Sequence, residues 1–406
     1  MSDVPRREPS SSQIELGMAR RQSFLPAPPS NRMSRPPREE IQVQARVTNL
    51  QRNRAARLGA IALACLAMVA VFADLLASDL PIACRYRGHV YLFPAITYPA
   101  ALASYDRATR DADRRPGDWF VEPLVEYGPE RTVSHDAVPA LRPPSLLDGH
   151  PLGTDAFGRD LFARLVHGAR TSLGAALFAA LGFVAIGTVL GALGGFFGGF
   201  LDGLIARVTE TLTAFPTLVL VLVVQALVSR PSLWTLLLAI GLTRWPEVAR
   251  LVRAEVMLVS SQDYVFAARA LGAGPWRILR RHVFPNAVAP ILVAGTFGVA
   301  SVVLVEASLD FLRVGAPPGA VSWGETLSET REHLGAWWLL VFPGVAVFVT
   351  VVALNLVGEA LRDALDPRLH AAVGGAAESG PASSSRSGPR TEEPPSSIVY
   401  GESPHT

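Results

Sequence analysis

The sequence predicts an all-α polytopic membrane protein with six transmembrane helices. Three observations carry that prediction. Half of the 406 residues are hydrophobic and only 18% are charged, against roughly a quarter charged in average soluble domains. Six apolar runs each approach the roughly 20 helical residues that a bilayer requires. Arginines crowd the short flanks of these runs on one side and are sparser on the other, the asymmetry by which helical membrane proteins are oriented.

Residues 1–45 are rich in Pro, Ser and Arg without apolar periodicity and are expected to be a disordered cytoplasmic tail. Residues 46–77 combine a basic flank with the first span, LGAIALACLAMVAVFADLLA at 58–77. The long basic stretch ahead of it argues against a secretory signal peptide. Residues 78–168 read as a small irregular extracytoplasmic insertion, in which YRGHVYLF suggests a turn and a short strand. The core, 169–366, holds five further spans at 171–196, 206–228, 233–257, 287–312 and 337–361. Pro216, in TAFPTLVL, is expected to bend the third span. Arg244, Glu247, Arg250 and Arg253 interrupt the fourth, which predicts a helix that leaves the bilayer and continues, amphipathic, into water. Residues 367–406, with SSSRSGPR and EEPPSS, are expected to be a second disordered tail.

With six spans, Arg52, Arg54 and Arg57, then Arg269, Arg277, Arg280 and Arg281, then Arg362 and Arg368 share one side. The positive-inside rule makes that side cytoplasmic, so both termini are expected inside. The insertion also carries arginines, but long translocated segments largely escape the rule.

Every basic residue other than histidine is arginine; the chain contains no lysine. A P-loop needs a lysine to reach the terminal phosphates, so this chain has no P-loop. Cys65 and Cys84 lack CxxC or Cys/His spacing and suggest neither a metal site nor a disulfide. No cofactor or metal is expected. Gly187, Gly191, Gly195 and Gly199 recur every fourth residue in the second span. Such a row lets another backbone approach closely, either within the chain or in a second subunit. In GTDAFGRD, Thr154 or Asp155 is expected to cap an interfacial helix whose face is Phe157, Leu161, Phe162 and Leu165; the spacing does not fit an EF-hand. Glu306 and Asp310, near the outer end of the fifth span, are candidates for the translocation path because intramembrane acids are costly. Proximity to the aqueous edge would also leave them simply solvated.

Between the fourth and fifth spans stands DYVFAARALGAGPWRILRRHVFPNAVAPIL. Asp263 is placed to cap a short helix, Ala267, Ala268, Ala270 and Leu271 favour it, and Gly272 suits its left-handed stop. Tyr264, Phe266 and Arg269 flank a thin face that fits a partner's groove; an ordinary loop helix with a glycine stop would look the same.

The stretch YVFAARALGAGPWRILRRHVFPN resembles the EAA loop of binding-protein-dependent ABC importer permeases. Ala267, Ala268, Gly272, Val283 and Pro285 stand at matching places, while Phe266 replaces the family's glutamate and Phe284 its leucine. HPLGTDAFGRDLFARLVHGARTSL, EASLDFLRVGAPPGAVSWGETL and GEALRDALDPRL resemble segments of the dipeptide/oligopeptide C-type branch. ASDLPIACRYRGHVYLFPAITYP is similar to the YejE-like subgroup associated with microcin C-type peptide uptake. The resemblance implies a type I importer permease fold with a cytoplasmic coupling helix in loop 263–285, received by an ATPase cleft. It also implies an inner-membrane location and two cytoplasmic ATP-binding subunits. A second homologous permease subunit forming a heterodimer and an extracytoplasmic solute-binding protein complete the set, with lipid around the spans and no nucleic acid. The transported solute would be a peptide or peptide-like.

Two other classes compete. A membrane-embedded enzyme would need a nucleophile with its base or a ligand cluster, and neither GxSxG nor HExxH occurs. A secondary transporter would show repeated halves with broken helices, and no such repeat is visible.

Overall fold

The computed structural model describes residues 54–365 except 103–104, 106–114, 133–139, 230–231, 316 and 318. Both expected disordered tails, 1–45 and 367–406, lie outside the described residues. The chain opens with α1 (Arg54–Val71) and the short α2 (Ala73–Leu76). The insertion follows, with strands β1 (Ala83–Tyr86), β2 (His89–Leu92) and β3 (Trp119–Val121) and helix α3 (Pro94–Thr97). The core runs through α4 (Leu161–Phe197), α5 (Gly199–Thr213), α6 (Thr217–Leu227) and α7 (Leu233–Ser260). After it come α8 (Asp263–Ala270), α9 (Pro275–Ile278), α10 (Phe284–Phe311), α11 (Trp323–Glu329) and α12 (Trp338–Leu365).

Among the described residues, α1, α4, the helical run Pro275–Phe311 and α12 are four helices long and apolar enough to cross a membrane. The pair α5 and α6 passes the same test jointly but is bent by 88°. The bend expected at Pro216 is therefore a full break. Proline has no N–H to give and disfavours helical backbone at the preceding residue; α5 stops at Thr213 and Pro216 becomes the N-cap of α6. The 28-residue α7 is long enough for a span but carries Arg244, Glu247, Arg250, Arg253 and Glu255. Two expected boundaries also shift. Helix one begins at Arg54 and breaks at Phe72, short of residue 77. Helix α4 starts ten residues before the expected 171 and spans 37 residues, about 55 Å at 1.5 Å per residue. It is longer than the hydrocarbon layer of a bilayer is thick.

The packing of α4 on α7 explains the glycine row. A Cβ on Gly187 would lie 2.7 Å from the Trp245 carbonyl oxygen and from Val248 Cβ; one on Gly195 would lie 2.7 Å from the Arg253 carbonyl oxygen; one on Gly191 would overlap the Ala249 carbonyl oxygen. Residues 187, 191 and 195 thus step along 245, 249 and 253, one helical turn at a time. The close approach is made within the chain, so these glycines are not the face of a second subunit. Gly199 does not belong to the seam. It lies past the end of α4 at φ +61° with nothing within 4 Å of its Cβ position, and with Gly198 at φ +64° it lets the chain turn into α5. Arg253 Nη2, at the end of the seam, donates to Asp202 Oδ2 at 2.7 Å and ties α7 to α5.

The insertion is more ordered than the sequence implied. Its three strands form an antiparallel sheet in the order β2-β1-β3. Arg87 at φ 52° and Gly88 at φ 90° supply the two left-handed residues of a tight hairpin. Cys84 is buried with Leu80, Ala95 and Leu102, while Cys65 is exposed on α1; both thiols are free.

Candidate functional site

The loop between α7 and α10 is built to be stiff. Gln262, not Asp263, occupies the N-cap of α8; Asp263 is the first helical residue, where its charge still meets the positive helix end. The helix stops as expected. Gly272 takes φ +80°, its N–H donates to the Arg269 carbonyl at 2.9 Å, and the Ala273 N–H donates to the Ala268 carbonyl at 3.1 Å. These two bonds make a complete Schellman motif. A second helical segment starts at once, with Gly274 as N-cap and Pro275 in the first turn, and one π-helical turn at Leu279–Val283 leads into α10.

Burial divides the expected docking residues. Tyr264, Phe266 and Leu271 are exposed large side chains, Leu271 at 88%, and Ala267 and Arg269 are exposed with them. Ala268 is half-buried against the core, below Val265 at 0% exposure. Phe284 and Pro285 are exposed. Val283 is 0% exposed, a correction: it seats the loop with Ile278 and Leu279 and presents nothing to a partner. The Arg269 guanidinium lies 5.8 Å from the rings of both Phe196 and Phe266, which binds α8 to the end of α4. Asn286 Nδ2 donates to the His282 carbonyl at 2.7 Å and to the Tyr264 hydroxyl at 3.3 Å.

At the other end, Glu306 and Asp310 are 0% and 2% exposed. The expectation that the aqueous edge solvates them is overturned. Ser172 Oγ donates to Glu306 Oε1 at 3.2 Å, and Ser322 Oγ donates to Asp310 Oδ2 at 2.7 Å. Helix α11 folds back over α10: a Cβ on Gly324 would come within 2.8 Å of Ala307 Cα. Both acids therefore sit under α11, clasped to α4 and to the segment before α11.

Beside them lies a charge cluster that sequence reasoning missed. Arg159 Nη2 donates to Glu329 Oε1 at 2.8 Å and its Nε to Asp155 Oδ2 at 2.5 Å. Arg164, 0% exposed, donates through Nη2 to Glu325 Oε2 at 2.7 Å and holds Asp155 at 3.5 Å. Burial first, then the negative Asp155, push the Glu329 carboxyl up to about 7, against the pull of Arg164. GTDAFGRD thus works differently from its expected role. Asp160, rather than Thr154 or Asp155, caps α4: its Oδ1 accepts from the Ala163 N–H at 2.8 Å while its Oδ2 lies 2.7 Å from His150 Nδ1. Asp155 takes the arginines, and Phe157 is exposed in the loop, off the helix face. Trp338 Nε1 donates to the Thr154 carbonyl at 3.0 Å and closes the unit onto α12. Arginines spaced five apart, one just before and one in the first turn of an otherwise apolar helix, were the available signal; their partners, about 160 residues later, were not.

Apolar helices long enough to cross a membrane, a close glycine seam between α4 and α7 and a short helix seated on the core with one face exposed define a helical membrane protein. The profile of the binding-protein-dependent transport system inner membrane component matches residues 187–371, from inside α4 past the end of α12. The dipeptide transport system permease protein of Escherichia coli K12 is 41% identical over 255 residues, covering 62% of this chain and 84% of that protein. The di/tripeptide transport system permease protein of Pseudomonas aeruginosa is 40% identical over 234 residues, covering 56% and 77%. The glutathione transport system permease protein of Pectobacterium atrosepticum is 37% identical over 252 residues, covering 62% and 82%. Among solved structures, the MetNI methionine ABC transporter in an inward-facing conformation is similar over 50% of this chain and 96% of that chain, at 19% identity and a TM-score of 0.43. The chain belongs to the family of binding-protein-dependent transport system inner-membrane components. It is a transport permease rather than an enzyme.

Proposed function

We propose that this chain is the membrane-spanning subunit of an ATP-binding-cassette importer for peptides or peptide-like solutes, driven through loop 263–285. The exposed face of α8 carries the reading. It presents Tyr264, Phe266, Ala267 and Leu271 outward on a helix fixed at both ends, and a partner's motion reaches the spans only through a segment that does not bend. No lysine exists to make a P-loop, so the nucleotide is bound by a partner. Two cytoplasmic ATPase subunits, a second homologous permease in a heterodimer and an extracytoplasmic binding protein complete the system. In this reading α7 and the α5–α6 pair cross the membrane with the four long apolar helices, giving six spans and two cytoplasmic termini. The peptide class follows from the names of the relatives. Glu306 and Asp310 act here as part of the outer clasp, next to the path rather than in it.

The test is purification of the tagged full chain in mild detergent, followed by uptake in cells that lack it. Co-purification of an ATPase, and restored uptake of labelled di- or oligopeptide but not of sugar or nickel, is the expected result. Ion-driven uptake by the chain alone in liposomes would overturn it in favour of a secondary transporter.

A further inference from the structure

The return arm of the loop carries four side chains, Trp276, Arg277, Arg280 and Arg281, that docking through α8 leaves unused. Trp276, Arg277, Arg280, Arg281 and Pro285 line an open groove of about 490 Å³. Their spacing places them together: 277, 281 and 285 step along one side of the helical segment, and the π-helical turn at Leu279–Val283 brings 276 and 280 beside them. The opposite side, Ile278, Leu279 and Val283, is buried in the core. The groove is therefore held in shape by the fold.

Its charge is unanswered among the described residues. Like charges three or four residues apart on a helix repel, and no ion pair to Arg277, Arg280 or Arg281 occurs among the described residues. Other arginines of the chain are paired, Arg170 with Asp74, Arg244 with Glu247 and Arg313 with Glu332; what sets 277, 280 and 281 apart is that all three line one groove. Three adjacent guanidiniums form a site for an anion with several acceptor oxygens, the geometry in which arginine binds phosphate. Two further facts select the source of that phosphate. α10 becomes continuously apolar at Ala287, two residues beyond Pro285, so in a bilayer the groove lies at headgroup depth. Trp276 is 63% exposed, and exposed indoles favour that interface. The apolar face of α8 suits a protein, whereas a basic groove with an aromatic wall at a span entrance suits a lipid.

We infer that this groove binds the phosphate of an anionic phospholipid headgroup in the leaflet that faces the loop. The inference rests on the orientation proposed above, with loop 263–285 at a membrane surface. Lipid would then brace the return arm at the place where α8 is loaded, anchoring the helix that transmits the motion.

The test uses the full chain in nanodiscs and reads quenching of tryptophan fluorescence by brominated lipid, with Trp276→Phe subtracted to isolate Trp276. Brominated phosphatidylglycerol should quench Trp276 at several-fold lower mole fraction than brominated phosphatidylcholine. Arg277→Gln and Arg281→Gln should each weaken that preference about fivefold, and Arg281→Lys, which keeps the charge, should weaken it less. Competition by millimolar inorganic phosphate would support a phosphate site, and its absence together with equal quenching by both lipids would overturn the proposal. An unchanged lipid preference in the Gln variants, with loss of the co-purifying ATPase, would assign the groove to the protein partner and refute the lipid site. The readout needs neither ATPase nor uptake, so it stands or falls separately from the permease reading.

Discussion

At the scale of single residues, two glycines and one glutamate make measurable claims. Gly191 faces the Ala249 carbonyl so closely that no side chain fits. Gly191→Leu should destabilise the protein by about 1–3 kcal/mol, the usual cost of overpacking, read as a lowered unfolding temperature in detergent. Gly199→Leu meets no neighbour and should cost only the strain of its positive φ, about 1–2 kcal/mol. An unchanged unfolding temperature in Gly191→Leu would remove the seam. Glu329 predicts a pH dependence. Its carboxyl titrates near 7 in the fold against an ordinary 4.5. Below about 4.5 folded and unfolded states are both protonated and this contribution is fully present. Between 4.5 and 7 the unfolded state ionises first, so stability should fall as pH rises. Glu329→Gln should flatten the profile across that window; a stability curve that still falls between pH 5 and 7 would place the titrating group elsewhere.

At the scale of the element, α8 is a short helix made rigid by its ends. Ala267 is exposed while Ala268 rests half-buried on the core, so Ala267→Arg tests docking and Ala268→Arg tests folding as well. Ala267→Arg should leave the protein inserted and equally stable, yet reduce ATPase co-purification and uptake at least tenfold. Full retention of both would make the segment an ordinary loop. Gly272→Val should lower coupling too, because a β-branched residue opposes φ +80°. Phe266→Glu places a carboxylate on a side chain that is 53% exposed and should be tolerated. The helix and its stop were legible because Ala267, Ala268 and Gly272 act locally. Which alanine faced outward was not, since Val265 and the neighbouring core decide it.

For the whole molecule, the number of crossings fixes which side of the membrane each loop faces. Leu147, 99% exposed, precedes α4, and Leu271 follows α7. If α4, the α5–α6 pair and α7 all cross, three passages separate them and they lie on opposite sides. Cysteines introduced at Leu147 and Leu271, with Cys65 and Cys84 replaced by alanine, should react with an impermeant maleimide from outside only at Leu147. Labelling of both from one side would mean that α7 or the bent pair does not cross. Here the sequence was ambiguous for a physical reason. Five charged residues on α7 and the break at Pro216 are tolerated in a bilayer only where neighbouring helices or aqueous cavities cover them, and neighbours are a property of the assembled bundle.

What the sequence determined by itself was whatever depends on composition and near neighbours: the apolar runs, the absence of a lysine, the arginine asymmetry, the helix stop at Gly272. These follow from transfer free energies and backbone sterics that act within a few residues. The tertiary structure decided the rest. The four-residue glycine step implied a close approach, but only the fold showed that 187, 191 and 195 meet 245, 249 and 253 of the same chain and that Gly199 stands aside. Glu306 and Asp310 read as edge residues until α11 was seen to cover them. Arg159 and Arg164 find Glu325 and Glu329 across about 160 residues because the start of α4 and helix α11 are brought together by the whole bundle. A charge buried without its partner costs several kcal/mol, so that pairing is settled by packing in three dimensions.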